Sequence, residues 1–163
     1  MNIFISYSTD DLKTVRQIAG YLKPHVDKVQ YWDDSKRPGE KIWDNILKWI
    51  DTADLVLALI TDNSVSRSPS VDQEIGYAKA KGKSILPLVK GSVDTAKLGC
   101  LHDVTYFIID TDDLQPAFDV IADKINEIRK KKFVSQGVLW AILGLVGGML
   151  LFGSGEDDYD GIY

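Results

Sequence analysis

The stretch Leu55-Val56-Leu57-Ala58-Leu59-Ile60 is apolar at every position. A strand with one face in water alternates polar and apolar residues, because successive side chains point to opposite sides of the sheet. A strand without that alternation is buried on both faces, within a sheet covered by helices above and below. Runs of similar character are Asn2 to Tyr7, Val29 to Trp32, Ser84 to Val89 and Thr105 to Ile109. Between them the apolar spacing becomes helical. Leu12, Val15, Ile18 and Leu22 form one face until Pro24 ends the pattern, and Ile42, Ile46, Trp49, Ile50 and Ala53 form another. Val71, Ile75 and Ala78 form a third, closed by Lys81-Gly82-Lys83 as a C-cap, and Phe118, Ile121, Ile125 and Ile128 a fourth. Asp33 to Glu40 and the serine-rich segment from Ser64 read as polar loops, while Lys90 to Asp103 has no clear period beyond loop and one short helix.

Strand and helix alternating in this way predict an α/β fold of the flavodoxin-like kind, with five parallel strands and helices on both faces. Such sheets bind ligands beyond the carboxyl ends of their strands, where the strand order reverses, here between the first and third. Tyr7-Ser8-Thr9-Asp10 lines one side of that crevice and Thr61-Asp62-Asn63-Ser64 the other. Glu74 follows shortly after the second side, within the inward arc of Val71, Ile75 and Ala78. A carboxylate in that arc has two readings. It sits at the rim of the apolar stripe, held by the partial positive charge of the helix N-terminus, or it points into the cleft as a buried acid with a chemical task.

The chain has 163 residues, 45% hydrophobic and 26% charged, which suffices for one domain with a proper core. A formal charge of −5 and the lack of a basic stripe with interleaved aromatics argue against a nucleic-acid partner. Cys100 is the single cysteine, and His25 and His102 stand in unrelated segments, so neither an internal disulfide nor a metal site is expected, and a reduced compartment is. Met1-Asn2 leads directly into Ile3-Phe4-Ile5, so no signal peptide is expected.

The basic run Arg129-Lys130-Lys131-Lys132 precedes Phe133 to Phe152, 20 residues without a charge. As a helix, that length covers about 30 Å, the hydrocarbon thickness of a bilayer. With bases before it and Glu156, Asp157, Asp158 and Asp160 after it, the stretch is expected to cross the inner membrane once, leaving the globular domain in the cytoplasm. Gly144 and Gly148, and Gly137 and Ala141, place small residues along one face of the span and would permit close helix pairing. The expected organisation is a folded domain over 1–129, a basic juxtamembrane segment over 130–132, a span over 133–152 and an acidic tail over 153–163.

Together these residues resemble a TIR domain (Toll/interleukin-1 receptor homology) of the bacterial kind. The resemblance is carried by Ile3-Phe4-Ile5-Ser6-Tyr7-Ser8 with Asp10 and Asp11, by Tyr31-Trp32-Asp33-Asp34 with Arg37-Pro38-Gly39-Glu40, and by the helix Ile42 to Ala53 closing in Ala53-Asp54. Leu55 to Ile60, Ser64 leading to Glu74-Ile75 and Ala78, Gly82-Lys83 and Ile85-Leu86-Pro87-Leu88-Val89 complete it. Many TIR domains cleave NAD, and the family's catalytic glutamate matches Glu74. The substrate-binding set that the resemblance implies is Tyr7, Ser8, Asp33, Asp34, Arg37, Trp43 and Ser64. It also implies NAD as substrate rather than cofactor, other TIR domains as partners in a homo-oligomer, activation by an unknown protein or ligand, and a setting in antiphage defence.

One carboxylate suffices for that chemistry. Glycoside hydrolases use two carboxyl groups because their leaving group must be protonated. Nicotinamide departs from a cationic pyridinium as a neutral molecule, so the remaining task is to stabilise positive charge on the ribose. Water would capture the ribosyl cation to give ADP-ribose, or an atom of the same nucleotide would give a cyclic product. The alternative is a non-catalytic adaptor acting through TIR–TIR contacts, with Asp33 to Glu40 as a docking loop. A phosphoacceptor receiver has the same strand order and would use Asp10, Asp11 and Asp62, but Leu88-Val89-Lys90 and Ile109-Asp110 lack its hydroxyl and lysine. A dehydrogenase fits less well still, because Ser6-Tyr7-Ser8-Thr9-Asp10 lacks the glycines of a dinucleotide fingerprint.

Overall fold

The strand with the most demanding sequence takes the most protected place: β3 (Leu55–Ile60) is buried along its whole length. In the computed structural model the backbone is described for residues 1–33, 42–67, 69–94, 96, 98–101 and 103–152, and side chains for these except 66, 67, 69 and 136–152. β3 pairs in parallel with β1 (Asn2–Ser6) on one side and β4 (Ser84–Lys90) on the other. β2 (Lys28–Gln30) and β5 (Phe107–Ile109) form the edges, giving the order β2-β1-β3-β4-β5 with every pair parallel. The order reverses between β1 and β3, the flavodoxin-like arrangement that alternating strands and helices imply.

Register decides which side chains share a face. Phe4 lies opposite Val56 and Ser6 opposite Ala58, while Ala58 lies opposite Pro87 and Ile60 opposite Val89. On this face, Phe4 and Val56 pack with Trp32, Ile46 and Ile50 of α2 (Ile42–Thr52) and Ala78 of α4 (Pro69–Ala80). Ala58, Ile60 and Val89 pack with Val71 and Ile75 of α4 and with Val93, Leu98 and Leu101. The alternate residues Ile3, Ile5, Leu55, Leu57 and Leu59 are equally buried and face the other way. That side is left to α1 (Leu12–Leu22), which buries Val15, Ile18, Ala19 and Leu22, and to the start of α5 (Gln115–Phe152). Tyr21 of α1 and Phe118 of α5 stack with ring centres 4.2 Å apart.

Helix ends follow local chemistry. Gly82, at φ 63°, reverses the chain after α4. The Lys83 amide donates to the Ala78 carbonyl at 3.0 Å and the Gly82 amide to the Lys79 carbonyl at 2.9 Å, the paired bonds of a Schellman C-cap. The serine-rich segment corrects the sequence reading. It contains a helix, α3 (Asp62–Arg67), rather than an uninterrupted loop. Thr61 starts it by accepting the Asn63 amide on its hydroxyl at 3.2 Å, and Ser64 Oγ accepts the Thr61 amide at 2.7 Å. Hydroxyl residues favour caps and turns, and here the cap initiates a short helix that composition conceals. Strand ends shift as well: β1 stops before Tyr7, and β2 stops before Tyr31-Trp32. Among the described residues, the unassigned stretch after β4 includes a 3₁₀ turn at Gly99–Leu101.

The chain divides into two compact units, Met1–Ile125 and Asn126–Tyr163. Within the second, the helical backbone continues to Phe152, and Phe133 and Val134 are exposed. Among the described residues no helix is long and apolar enough to cross a membrane. Most side chains of the expected span, 133–152, lie outside the described set.

The central strand sets the expected stability profile. Leu57→Ala, at a fully buried site, should cost about 3 kcal/mol, whereas Ile108→Ala on edge strand β5, where the side chain is 61% exposed, should cost under about 1 kcal/mol. Urea midpoints of the two variants check this order.

Candidate active site

Ser6 and Glu74 form a buried polar pair on the α2/α4 side of the sheet. Ser6 is the last residue of β1, fully buried opposite Ala58, whose small side chain leaves room at the strand end. Glu74 lies in the second turn of α4, between Val71 and Ala78 on the packed arc, and is 5% exposed. Ser6 Oγ donates to Glu74 Oε2 at 2.5 Å across 68 residues of sequence. Glu74 is therefore buried and does not sit at the exposed rim of the apolar stripe.

Burial dominates the electrostatics. Removal from water pushes the Glu74 carboxyl up from its ordinary 4.5 to about 7, against the Ser6 hydrogen bond, which favours the ionised form. A shift of that size corresponds to about 3 kcal/mol spent on keeping the acid there. An acid held near half-ionisation at neutral pH is suited to chemistry that uses its charge.

The two sides of the switch point are joined directly. Asp11, following the crevice residues of β1, accepts the Thr61 hydroxyl on Oδ2 at 2.6 Å and the Asn63 amide on Oδ1 at 2.9 Å. Thr61 is buried, so this clamp ties the loop after β1 to the start of α3. Asp62 turns outward, accepting from Ser92 Oγ at 2.6 Å and facing Lys90 at 3.6 Å. Asp11 and Asp62 thus serve different partners, unlike the converging acids of a receiver.

The expected substrate-binding residues take several roles. Tyr7 and Ser8 are buried directly after β1, and the Tyr7 hydroxyl donates to the Trp32 carbonyl. Asp33 is buried, and its Oδ2 accepts from Arg16 at 3.0 Å, so this carboxylate is already engaged. Ser64 is buried and closes a turn with both hydrogen-bonding functions directed to the Thr61 backbone, at 2.7 and 2.9 Å. Trp43 stands at the start of α2 and is 39% exposed. Asp34 and Arg37 lie outside the described residues.

Ser6, Asp11 and Arg16 were absent from the expected site, and Asn63 was expected only as part of the crevice wall. Ser6 carried a readable signal, as the hydroxyl that ends the otherwise apolar core of β1. The others depend on tertiary approach, which no local pattern encodes.

The family model for the TIR domain matches residues 3–125. Among solved structures, the chain is similar to a CMP N-glycosidase, BcmB, of Clostridium botulinum, with 22% identity and a TM-score of 0.54 over 73% of this chain and 99% of that one. It is also similar to the TIR domain of the Toll-related receptor TRR-2 of Hydra magnipapillata, with 16% identity and a TM-score of 0.56 over 78% of this chain and 97% of that one. These two likenesses establish the fold. No curated protein matches.

The Glu74 environment predicts a signed pH effect. Its folded pKa is raised, so its contribution to stability is fully present below about 4.5 and is lost as pH rises through about 7. Glu74→Gln, which keeps the shape without the charge, should leave stability near about pH 4.5 little changed and raise it at about pH 8 by about 1–3 kcal/mol. Denaturant midpoints of wild type and variant at the two pH values measure the difference.

Proposed function

The chain belongs to the TIR domain family, and we propose that it is an NAD glycohydrolase or cyclase in which Glu74 is the catalytic carboxylate. The observation that carries the reading is the buried Glu74 beside the end of β1, at the sheet's switch point, with its carboxyl raised to about 7. Structural acids on a packed helix face are rare unless paired with a base; this one is paired with a hydroxyl. The existence of an N-glycosidase with the same fold supports N-glycosidic chemistry as the reaction class.

In the proposed reaction the bond between ribose C1′ and the nicotinamide nitrogen breaks. The electron pair goes to the pyridinium, which leaves as neutral nicotinamide, and positive charge develops on the ribose. The Glu74 carboxylate stabilises that charge and accepts hydrogen bonds from ribose hydroxyls. Water attacks C1′ and releases a proton to give ADP-ribose, or an atom of the same nucleotide attacks to give a cyclic product. Glu74 is 5% exposed in this conformation, so substrate access requires a local opening. We assign that step to assembly with other TIR domains.

The proposal includes a membrane anchor over Phe133 to Phe152, with the TIR domain on the cytoplasmic side of the inner membrane. It rests on the uncharged run and the basic flank Arg129 to Lys132. Confinement to a plane would raise local concentration and favour assembly. A role in antiphage defence, through NAD depletion or a nucleotide messenger, follows from the family resemblance.

Intracellular NAD followed after induced expression tests this reading. The full chain should lower NAD at least several-fold, Glu74→Ala should leave it unchanged, and a version ending at Arg129 should act more slowly. NAD unchanged, with no nicotinamide released by purified assembled protein and CMP also untouched, would select the adaptor reading.

A further inference from the structure

We propose that Ser6 is a positioning residue for Glu74, its hydroxyl fixing Oε2 and thereby setting the orientation in which the carboxylate meets substrate. The inference rests on the catalytic reading of Glu74 and adds a residue to it. Ser6 is fully buried at the end of a strand whose preceding residues, Ile3, Phe4 and Ile5, are buried and apolar. A hydroxyl at such a place costs stability unless it is hydrogen-bonded. Its partner is Glu74 Oε2 at 2.5 Å, a short bond of the kind formed to a carboxylate.

The geometry makes this contact mechanically informative. Ser6 belongs to β1, which pairs with β2 as far as Phe4 and with β3 through Ser6 itself, opposite Ala58, whereas Glu74 projects from α4. A side chain with several rotatable bonds is thus tied to a backbone fixed within the sheet. Precise orientation of a charged group is where a positioned hydrogen bond contributes most to a transition state.

Charged groups on the neighbouring elements are directed elsewhere. On α2, Asp44 and Lys48 are exposed, and Asp51 accepts the Tyr77 hydroxyl at 3.0 Å and faces Lys81 at 3.6 Å. On α4 itself, Asp72 is exposed, and Lys79 reaches the Cys100 carbonyl at 2.9 Å and Asp103 at 2.6 Å. At the end of β4, Lys90 faces Asp62 at 3.6 Å. Cys100 of the 3₁₀ turn is exposed. The hydroxyl of Ser6 is the group that opposes the effect of burial on Glu74.

The test uses the full-length chain in vesicles, with NAD as substrate, comparing Ser6→Ala, Ser6→Thr and Glu74→Gln. Ser6→Ala should lower kcat about 10- to 100-fold while changing KM less than about 3-fold, and Ser6→Thr, which keeps the hydroxyl, should recover most of kcat. In parallel, ¹³C NMR of the Glu74 carboxyl should show its titration midpoint moving to higher pH in Ser6→Ala and returning toward wild type in Ser6→Thr. The NMR arm reads the contact even if no nicotinamide is released, so loss of the NAD reading is separable from loss of this one. If Ser6→Ala does not fold, Ser6→Cys, a weak donor of similar size, takes its place with the same expectations. An unmoved midpoint, or a kcat equal to wild type beside an inactive Glu74→Gln, overturns the proposal.

Discussion

β3 is buried on both faces, and this constraint organises the domain. A strand that cannot show either face to water needs helices above and below it, and parallel neighbours joined by crossovers supply them. Right-handed crossovers then gather the strand ends at one edge, where β1 and β3 diverge toward different sides of the sheet. That edge is where Ser6 ends β1, where Thr61 begins α3, and where α4 starts with Glu74 in its second turn. The position of the acid is a consequence of topology. Its burial is a property of the helix face it occupies.

Polar groups near the switch point are paired across long sequence distances. Asp11 binds Thr61 and Asn63, Arg16 binds Asp33, and Ser6 binds Glu74. Asp11 and Asp33 accept hydrogen bonds from side chains of neighbouring segments and so tie those segments together. Glu74 has a hydroxyl against strong desolvation, and desolvation prevails. The contrast separates acids that hold the loops in place from an acid whose charge is held in tension. Several residues expected near substrate also hold framework hydrogen bonds, Ser64 most clearly, with its hydroxyl bonded to the Thr61 backbone.

Much of the fold was legible because the apolar patterns were strong. Leu55 to Ile60 and the helical faces of α1, α2, α4 and α5 required no tertiary information, and Gly82 between two lysines marked a helix end where the structure has a positive φ. α3 was not legible, because Ser64 and its neighbours carry loop composition while their hydroxyls act as caps. At the site, Glu74 stood out as a carboxylate in an apolar arc. Ser6 left only a slight trace, a hydroxyl ending an apolar strand, and that trace has meaning only once α4 is placed against it.

The most direct measurement is the pH dependence of nicotinamide release by the purified, assembled protein under kcat/KM conditions. If the ionised Glu74 carboxylate drives the reaction, the rate rises through about pH 7 and then levels, while Glu74→Gln stays at background at every pH. A pH-independent rate, or a Glu74→Gln variant as active as wild type, would contradict the account.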